Sequence, residues 1–264
     1  MTRIAIFDSG VGGLSIYKEI KQQLPDSQYI FVSDNQSFPY GTKPEQELID
    51  RVQKVVTRII NQFNPDILVI ACNTASTIVL PLLRKQFDLP IVGVVPAIKP
   101  AAQLSKSKII GLLATPATIK RPYTDQLISK FAADCNVVSV GSSRLVEIAE
   151  NKLFGITVNQ KEIEQILQPF LVIPKIDLII LACTHFPLIN KDIRKVFKAK
   201  YRAIDLIDSG QGIANRVVEL INDSNLERSN SNISTIVFTE SHAANNQFES
   251  ELNRLGFDKR KLLK

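Results

Sequence analysis

Two cysteines of this chain stand directly after apolar segments. Cys72 follows the run at 67–71 and Cys183 follows the run at 178–182, and polar side chains come next in both places. A thiol at a strand end lies near the start of the next helix, where the helix dipole and free N–H groups favour thiolate. Two such thiols across one cleft can remove a proton from one face of a carbon and deliver one to the other. This arrangement inverts a stereocentre.

The surroundings of the two cysteines are repeated in the sequence. The segment DILVIACNT at 66–74 matches DLIILACTH at 177–185, so that the thiols lie at equivalent positions 72 and 183. This echo predicts two similar α/β halves, although buried cysteine is also a common small hydrophobe. A second echo, between 4–12 and 204–212, can reflect no more than two similar strand–turn–helix corners. Cys135 lacks such a context and is interpreted as structural.

Other polar residues follow predicted strands. Asp8, in FDSGVGGLS, can bind a substrate ammonium or act on a nearby thiol, or it can cap the following helix. The glycines of that segment permit a tight turn with close backbone approach to a ligand. The backbone N–H groups of Tyr40 and Gly41 can hold a carboxylate, or PYG can be a plain loop. His185 can move protons or polarise groups near Cys183, or serve as a structural histidine.

Short apolar runs alternate with amphipathic segments throughout the chain. The clearest helix begins at Pro44, a favourable first helical position, and carries apolar residues on one face as far as Phe63. Strands that are apolar on both faces predict parallel sheets covered by helices, with ligands beyond the carboxyl ends of the strands. The predicted strands are 3–7, 29–33, 66–71, 91–95, 108–113, 136–140, 177–182, 203–207 and 234–238.

The composition is that of an ordinary globular chain. Of 264 residues 45% are hydrophobic and 22% are charged, and no apolar run reaches the ~20 residues of a membrane helix. With no signal-peptide pattern at the N-terminus, we expect a cytoplasmic protein without a membrane partner. The net charge of +6 is dispersed, apart from a basic cluster at 258–264 interpreted as a solvated tail, so no nucleic-acid partner is expected. The segment at 227–232 is predicted to be a polar loop.

The cysteines and histidines do not form a metal-binding pattern. The chain has three cysteines, no C-x-x-C and two histidines, His185 and His242. Four-ligand zinc sites need paired spacing, and an odd number of cysteines argues against a disulfide framework. The sequence therefore predicts no metal site.

Four segments in order, DSGVGGLS, PYGTK, ACNTAS and CTHFP, resemble those of glutamate racemase. The likeness extends from residue 4 to about residue 220. It implies a cofactor-independent enzyme that interconverts L- and D-glutamate and supplies D-glutamate for peptidoglycan. It also implies two α/β domains with the active site in the cleft between them. The first would be discontinuous, 1–96 plus 208–264, and the second would be 97–207. A homodimer is one expectation for the assembly.

The resemblance also implies roles for individual residues. Cys72 and Cys183 match the two catalytic acid/bases, Cys72 acting on D-glutamate and Cys183 on L-glutamate, with Asp8 and His185 beside them. The positions that match substrate-binding residues are Asp8, Ser9, Tyr40, Gly41, Asn73, Thr74, Thr115, Thr118, Glu150, Thr184 and His185.

One part of this alignment departs from the family. The family often has Cys-Pro where this chain has Ser142 and Ser143, close to the segment that carries the active-site glutamate. Glu150 is favoured over Glu147 for that position.

Three other functions are considered. The chain can be an aspartate racemase of the same superfamily, a Cys–His amidase, or an amino-acid-binding protein whose thiols are inert. Cys183 and His185 are only two residues apart in sequence, which argues against the amidase. Assays of both enantiomers of glutamate and aspartate would separate these functions.

Overall fold

Ten strands form two parallel sheets in a computed structural model that describes residues 2–223, 233–241 and 245–264. The first sheet has the strand order β10-β9-β2-β1-β3-β4, and the second has the order β6-β5-β7-β8. The strands are β1 Arg3–Asp8, β2 Gln28–Ser33, β3 Ile67–Ile70, β4 Ile91–Gly93, β5 Ile109–Ala114, β6 Asn136–Gly141, β7 Leu178–Ala182, β8 Asp205–Ile207, β9 Ser234–Phe238 and β10 Phe257–Leu262. All pairings within the described residues are parallel, which confirms the predicted fold class.

Helices connect the strands and cover the sheets. They are α1 Leu14–Gln23, α2 Glu45–Phe63, α3 Asn73–Gln86, α4 Ile98–Leu104, α5 Pro116–Ile119, α6 Pro122–Phe131, α7 Arg144–Leu153, α8 Gln160–Leu171, α9 Asn190–Ala199, α10 Gly210–Asp223 and α11 Asn246–Arg254. Short 3₁₀ turns occupy Asn35–Ser37, Tyr40–Thr42 and Phe186–Ile189. Pro44, predicted to be the first helical residue of α2, instead immediately precedes it. The polar loop predicted at 227–232, and His242, lie outside the described residues.

Strands β1, β2, β3 and β9 of the first sheet are buried on both faces, as their apolar residues predict. Ile4 and Ile6 of β1 lie in a core formed with α1 and α10, whereas Ala5 and Phe7 lie in a second core formed with α2 and α3. Successive side chains of a strand point to opposite faces, so a strand covered on both sides must be apolar at every position. The helices therefore fix the sheet rigidly and leave the carboxyl ends of its strands free for polar residues.

The internal repeat is confirmed by the topology. The order β2-β1-β3-β4 of the first sheet recurs as β6-β5-β7-β8 in the second, so β3 and β7 are equivalent strands. The aspartates that open the two copies of the first echo make similar contacts. Asp66 accepts a hydrogen bond from the N–H of Arg3, at the start of β1, at 2.6 Å, and Asp177 accepts one from the N–H of Ser107, just before β5, at 2.9 Å.

The second echo reflects a similar local turn. The Asp8 carboxylate accepts a hydrogen bond from the Gly10 N–H at 2.8 Å, and the Asp208 carboxylate accepts one from the Gly210 N–H at 2.7 Å. The strands before these turns, β1 and β8, occupy different places in the two sheets. The echo is thus a repeated strand–turn–helix corner, which is the simpler of its interpretations.

The basic C-terminal cluster is solvated, as interpreted, and it also forms a strand. Residues 257–262 form β10, an edge strand that pairs with β9. Its first residue, Phe257, is buried and stacks on the Tyr17 ring at 4.6 Å, and Leu263 is buried just beyond the strand. The basic side chains between them are exposed. Exposed Lys and Arg are common on edge strands because they discourage pairing with other chains.

Two crossings connect the sheets. The chain leaves the first sheet after β4 and returns to it after β8, and at the crossings Ser209 Oγ donates to the Val95 carbonyl at 2.5 Å. The predicted domain boundaries at 96/97 and 207/208 stay a prediction, which the division of the strands between two sheets supports. No described helix combines the length and apolar character needed to cross a membrane.

Candidate active site

Cys72 and Cys183 line the same narrow cavity between the two sheets. Each follows the carboxyl end of its strand, β3 or β7, and each is 6% exposed. The other residues that line the cavity are Ser9, Pro39, Tyr40, Gly41, Asn73, Thr74, Thr115, Ser143, Val146, Thr184 and His185. Most of the predicted site residues are therefore together. Asp8, Thr118 and Glu150 lie behind this lining and contact residues that belong to it.

Cys72 precedes helix α3 directly, as expected, but its thiol is not favoured as thiolate. Burial raises the pKa of Cys72 to about 12, and the charge of Asp8 adds to this effect. The backbone N–H of Ala75 and the hydroxyl of Ser9, which lies 3.6 Å from Cys72 Sγ, lower the pKa by less. Burial and the charge of Asp8 therefore oppose the thiolate that the start of helix α3 was expected to favour.

Cys183 has a different partner. Its sulfur lies 3.8 Å from Nδ1 of His185, and Nε2 of that ring lies 2.8 Å from Glu150 Oε1. Although burial lowers the pKa of His185, its contacts with Cys183 and Glu150 raise that pKa well above its ordinary value. A protonated imidazole between a thiol and a carboxylate can hold a thiolate beside it. The 3₁₀ turn Phe186–Ile189 follows, so Cys183 does not precede a long helix as Cys72 does.

Asp8 is fully buried and contacts both halves of the chain. It accepts hydrogen bonds from the Gly10 N–H at 2.8 Å and, across the cleft, from Thr184 Oγ1 at 2.9 Å. Burial raises the pKa of Asp8, and the nearby charge of His185 opposes that rise. Helix α1 begins at Leu14 after Gly13, with no side-chain cap. The alternative in which Asp8 or Ser9 caps this helix is therefore wrong.

Three threonine hydroxyls and one amide supply neutral polar groups. Thr74 Oγ1 lies 3.0 Å from Thr115 Oγ1 and 3.3 Å from Thr118 Oγ1, and the last two hydroxyls are 2.9 Å apart. Thr74 is the second residue of helix α3, whereas Thr115 caps α5 and Thr118 lies within it, so this triangle joins the two halves. Asn73 Oδ1 is buried and has no hydrogen-bond partner among the described residues. Buried polar atoms are rarely left unpaired, which makes this oxygen available to a ligand.

The glycines after β1 make room for the other half of the chain. A Cβ on Gly12 would lie 2.3 Å from His185 Nδ1, and a Cβ on Gly10 would lie 2.3 Å from Glu150 Oε1. The Val11 N–H between them donates to Glu150 Oε1 at 2.8 Å. The sequence predicted that these glycines allow close approach of a ligand, whereas the contacts in the structure are with the side chains of His185 and Glu150. The turn places these two side chains next to Cys183.

The two glutamates considered for the site lie in different surroundings. Glu150 contacts His185, whereas Glu147 is only partly exposed and pairs with Arg144 at 2.7 Å. Three residues of the lining were not predicted: Pro39, Ser143 and Val146. Ser143 belongs to the pair noted as a departure from the family pattern. Its position after strand β6, at the carboxyl edge, was the signal that could have identified it.

The placement of the glutamates leads to a matched pair of variants. Glu150→Gln keeps the shape of the side chain but removes the charge that holds His185 protonated, and we expect kcat to fall by at least about 10-fold. Glu147→Gln removes a partly exposed charge on the same helix and should leave kcat unchanged. Steady-state kinetics of both variants, with both enantiomers of glutamate, measures the difference. Equal activity of the two variants would contradict a role for Glu150.

Comparison with known proteins identifies the family. A family model described as Asp/Glu/Hydantoin racemase matches residues 4–217, which is most of the chain. The chain belongs to the Asp/Glu/Hydantoin racemase family. Among its relatives in this family, the glutamate racemase of Aliivibrio fischeri is 54% identical over 224 residues, which cover 85% of this chain and 83% of that protein. The glutamate racemase of Vibrio cholerae is 53% identical over 219 residues, covering 83% and 80%.

A solved structure supports the same membership. The crystal structure of Escherichia coli glutamate racemase in complex with L-glutamate and the activator UDP-MurNAc-ala has a TM-score of 0.93 to this chain. The two are 41% identical, and the match covers 99% of this chain and 98% of that one. The resemblance found in the four sequence segments is thereby confirmed. The two-sheet architecture of this racemase-family chain is that of its solved relatives.

Proposed function

We propose that this chain is a glutamate racemase that uses Cys72 and Cys183 to move a proton on or off opposite faces of the α-carbon. The observation that carries the proposal is that two thiols, from equivalent strand ends of two sheets, line one cavity. The relatives named as glutamate racemases support the choice of substrate. The product D-glutamate would enter peptidoglycan synthesis in the cytoplasm. We further propose that the enzyme needs no cofactor, binds neither nucleic acid nor membrane, and forms a homodimer.

In the direction from L- to D-glutamate, Cys183 is the base. Protonated His185, held by Glu150, stabilises the thiolate of Cys183 beside it, and this thiolate removes the α-proton. The electron pair of the broken C–H bond is held on the α-carbon and its carboxylate. The protonated thiol of Cys72 then donates to the opposite face. Cys183 ends as thiol and Cys72 as thiolate, so the reverse reaction starts from Cys72.

For that reverse direction the pKa of Cys72 has to fall. The charge of Asp8 raises the pKa of that thiol. An ammonium group of the substrate placed beside Asp8 would offset this charge and favour the Cys72 thiolate. Asp8 would then bind the substrate and adjust the base in one step. Thr184, which bonds Asp8 from the other half, would fix the carboxylate for this contact.

The substrate carboxylates would be held by neutral donors. The described lining contains hydroxyl, amide and backbone groups but no lysine or arginine. We assign Ser9, Asn73, Thr74 and Thr184 to the substrate, together with the backbone of Tyr40 and Gly41 and the hydroxyls of Thr115 and Thr118. Fixed dipoles in a site that excludes water stabilise a developing carbanion better than water does. Neutral donors also avoid a buried cation, which would compete with His185 for the Cys183 thiolate.

The test is an assay by circular dichroism with both enantiomers of glutamate and of aspartate, on enzyme dialysed against a chelator. We expect racemisation of glutamate in both directions, with kcat/KM for aspartate lower by about 10- to 100-fold, because one missing methylene is worth that much. Preferential turnover of aspartate would make the chain an aspartate racemase. Binding without turnover would make it an amino-acid-binding protein. Activity that requires added metal would overturn the cofactor-free mechanism.

A further inference from the structure

A buried carboxylate that the mechanism does not use lies beside the cavity. Asp34 follows β2 and is 0% exposed. Its two oxygens accept four side-chain hydrogen bonds: two from Arg51, at 2.8 and 2.5 Å, one from the Tyr40 hydroxyl at 2.5 Å, and one from the Thr239 hydroxyl at 2.7 Å. A carboxylate offers about four lone-pair sites, so Asp34 is fully occupied. Asp34 therefore has no oxygen lone pair left for a ligand. Its function has to lie in positioning the side chains that donate to it.

Asp34 fixes one wall of the cavity through its contact with Tyr40. Tyr40 and Gly41 line the cavity, and the Tyr40 side chain passes from this wall back to Asp34. A Cβ on Gly41 would lie 3.2 Å from Thr115, so the wall is closely packed against the threonine triangle of the other half. The Tyr40 hydroxyl ties this turn to Asp34, and the Tyr40 ring lies 6.3 Å from that of Phe7 in β1. A shift of the hydroxyl would move the backbone that faces the substrate.

Arg51 makes this buried carboxylate compatible with an anionic substrate. It comes from helix α2 and does not line the cavity, and its Nη2 also donates to Gln36 at 2.9 Å. The planar guanidinium of Arg51 offsets the negative charge of Asp34 through a bidentate pair of hydrogen bonds. Without it, a charged carboxylate would remain next to the wall where substrate carboxylates bind, and an unpaired buried charge is strongly unfavourable.

We propose that Asp34 and Arg51 are positioning residues that hold the Tyr40 hydroxyl and thereby fix the Tyr40–Gly41 wall for substrate binding. This inference rests on the proposed function, because it takes glutamate as the ligand of that wall. Asp34 and Arg51 act through Tyr40 and do not touch the reacting atoms. Their loss should weaken binding in the ground state and the transition state alike, which raises KM and leaves kcat nearly unchanged.

Two hydroxyls on the same carboxylate give a matched pair of variants. Tyr40→Phe removes the hydrogen bond of the Tyr40 hydroxyl to Asp34, and Thr239→Val removes that of the Thr239 hydroxyl together with the bond that this hydroxyl accepts from the Gln36 N–H at 3.2 Å. Both should lower Tm by about 2–8 °C. Tyr40→Phe should raise KM for glutamate by about 10-fold with kcat within about 3-fold, whereas Thr239→Val should leave both constants within about 2-fold. A merely structural role predicts the same lower Tm for both variants and an unchanged KM for both.

Arg51 separates positioning from direct contact of the Tyr40 hydroxyl with substrate. Arg51→Gln should raise KM as Tyr40→Phe does, Arg51→Lys should recover part of the loss, and the double variant should show less than the product of the two effects. If Tyr40→Phe alone raises KM, the hydroxyl touches substrate and the inference is overturned. If Arg51→Gln does not fold, Arg51→Lys takes its place in the comparison. Wild-type enzyme without glutamate turnover would overturn the proposed function, and this inference with it.

Discussion

Cys72→Ser and Cys183→Ser should each reduce racemisation by about 10³-fold or more in both directions. Serine fills the same space, but its hydroxyl does not ionise near neutral pH and is a poor acid/base for an α-proton. Each direction needs one thiol to take a proton and the other to give one, so loss of either thiol blocks both directions. Initial rates from L-glutamate and from D-glutamate, followed by circular dichroism, measure the loss.

Cys135→Ser is the control for these two variants. Cys135 is half-buried and contacts Asp134, away from the cavity lining. Its replacement should leave kcat and KM unchanged while introducing the same chemical substitution. Near-normal turnover by the Cys72 or Cys183 variant would refute the two-thiol assignment, provided that far-ultraviolet spectra show all three variants folded.

The strands of the first sheet were predictable because their burial requires apolar residues at every position. Ile67 and Val69 of β3 face one core, and Leu68 and Ile70 face the other. Strand β10 did not follow this rule, since only Phe257 at its start is buried. Between that residue and Leu263 its side chains are exposed, and pairing with β9 is a backbone interaction that leaves little trace in the sequence. An edge strand of this kind has the composition of a solvated tail.

The site was predictable where a residue directly follows a strand. Cys72, Asn73, Cys183 and His185 were found in this way, because the carboxyl ends of parallel strands meet at one edge. The raised pKa of Cys72 was not predictable, since the helix start is visible in the sequence while burial and the charge of Asp8 are not. Asp8 comes near it only because β1 pairs with β3.

Residues that reach the site through side chains of helices were harder to find. Glu150 comes from α7, and its selection over Glu147 rested on the family resemblance. The contact between Asp34 and Arg51 joins a strand end to the middle of α2. Neither position shows its partner in the local sequence, because a salt bridge between elements depends on how those elements pack. Such contacts are the part of a site that only three-dimensional structure supplies.

The different partners of the two thiols predict how isotope enters the product. Cys183 lies beside His185, whereas Cys72 lies in the field of Asp8, so each thiol serves one face of the substrate. When either enantiomer of glutamate is converted in deuterated water, the proton removed stays on one sulfur. The other sulfur, already exchanged with solvent, delivers deuterium. Early product should therefore be almost fully deuterated at the α-carbon, while the remaining starting enantiomer stays largely protiated.

Mass spectrometry of both enantiomers at low conversion, in separate reactions started from L- and from D-glutamate, measures this distribution. A single base that served both faces would return some of the original proton, so that early product would contain protium. Substantial protium in the product, beyond that due to residual light water, would contradict the two-thiol mechanism in favour of one base. Late in the reaction, both mechanisms give racemic deuterated glutamate from either starting enantiomer, so the product no longer distinguishes them. The isotope content therefore has to be read at low conversion, where each product molecule has undergone a single proton transfer on each face.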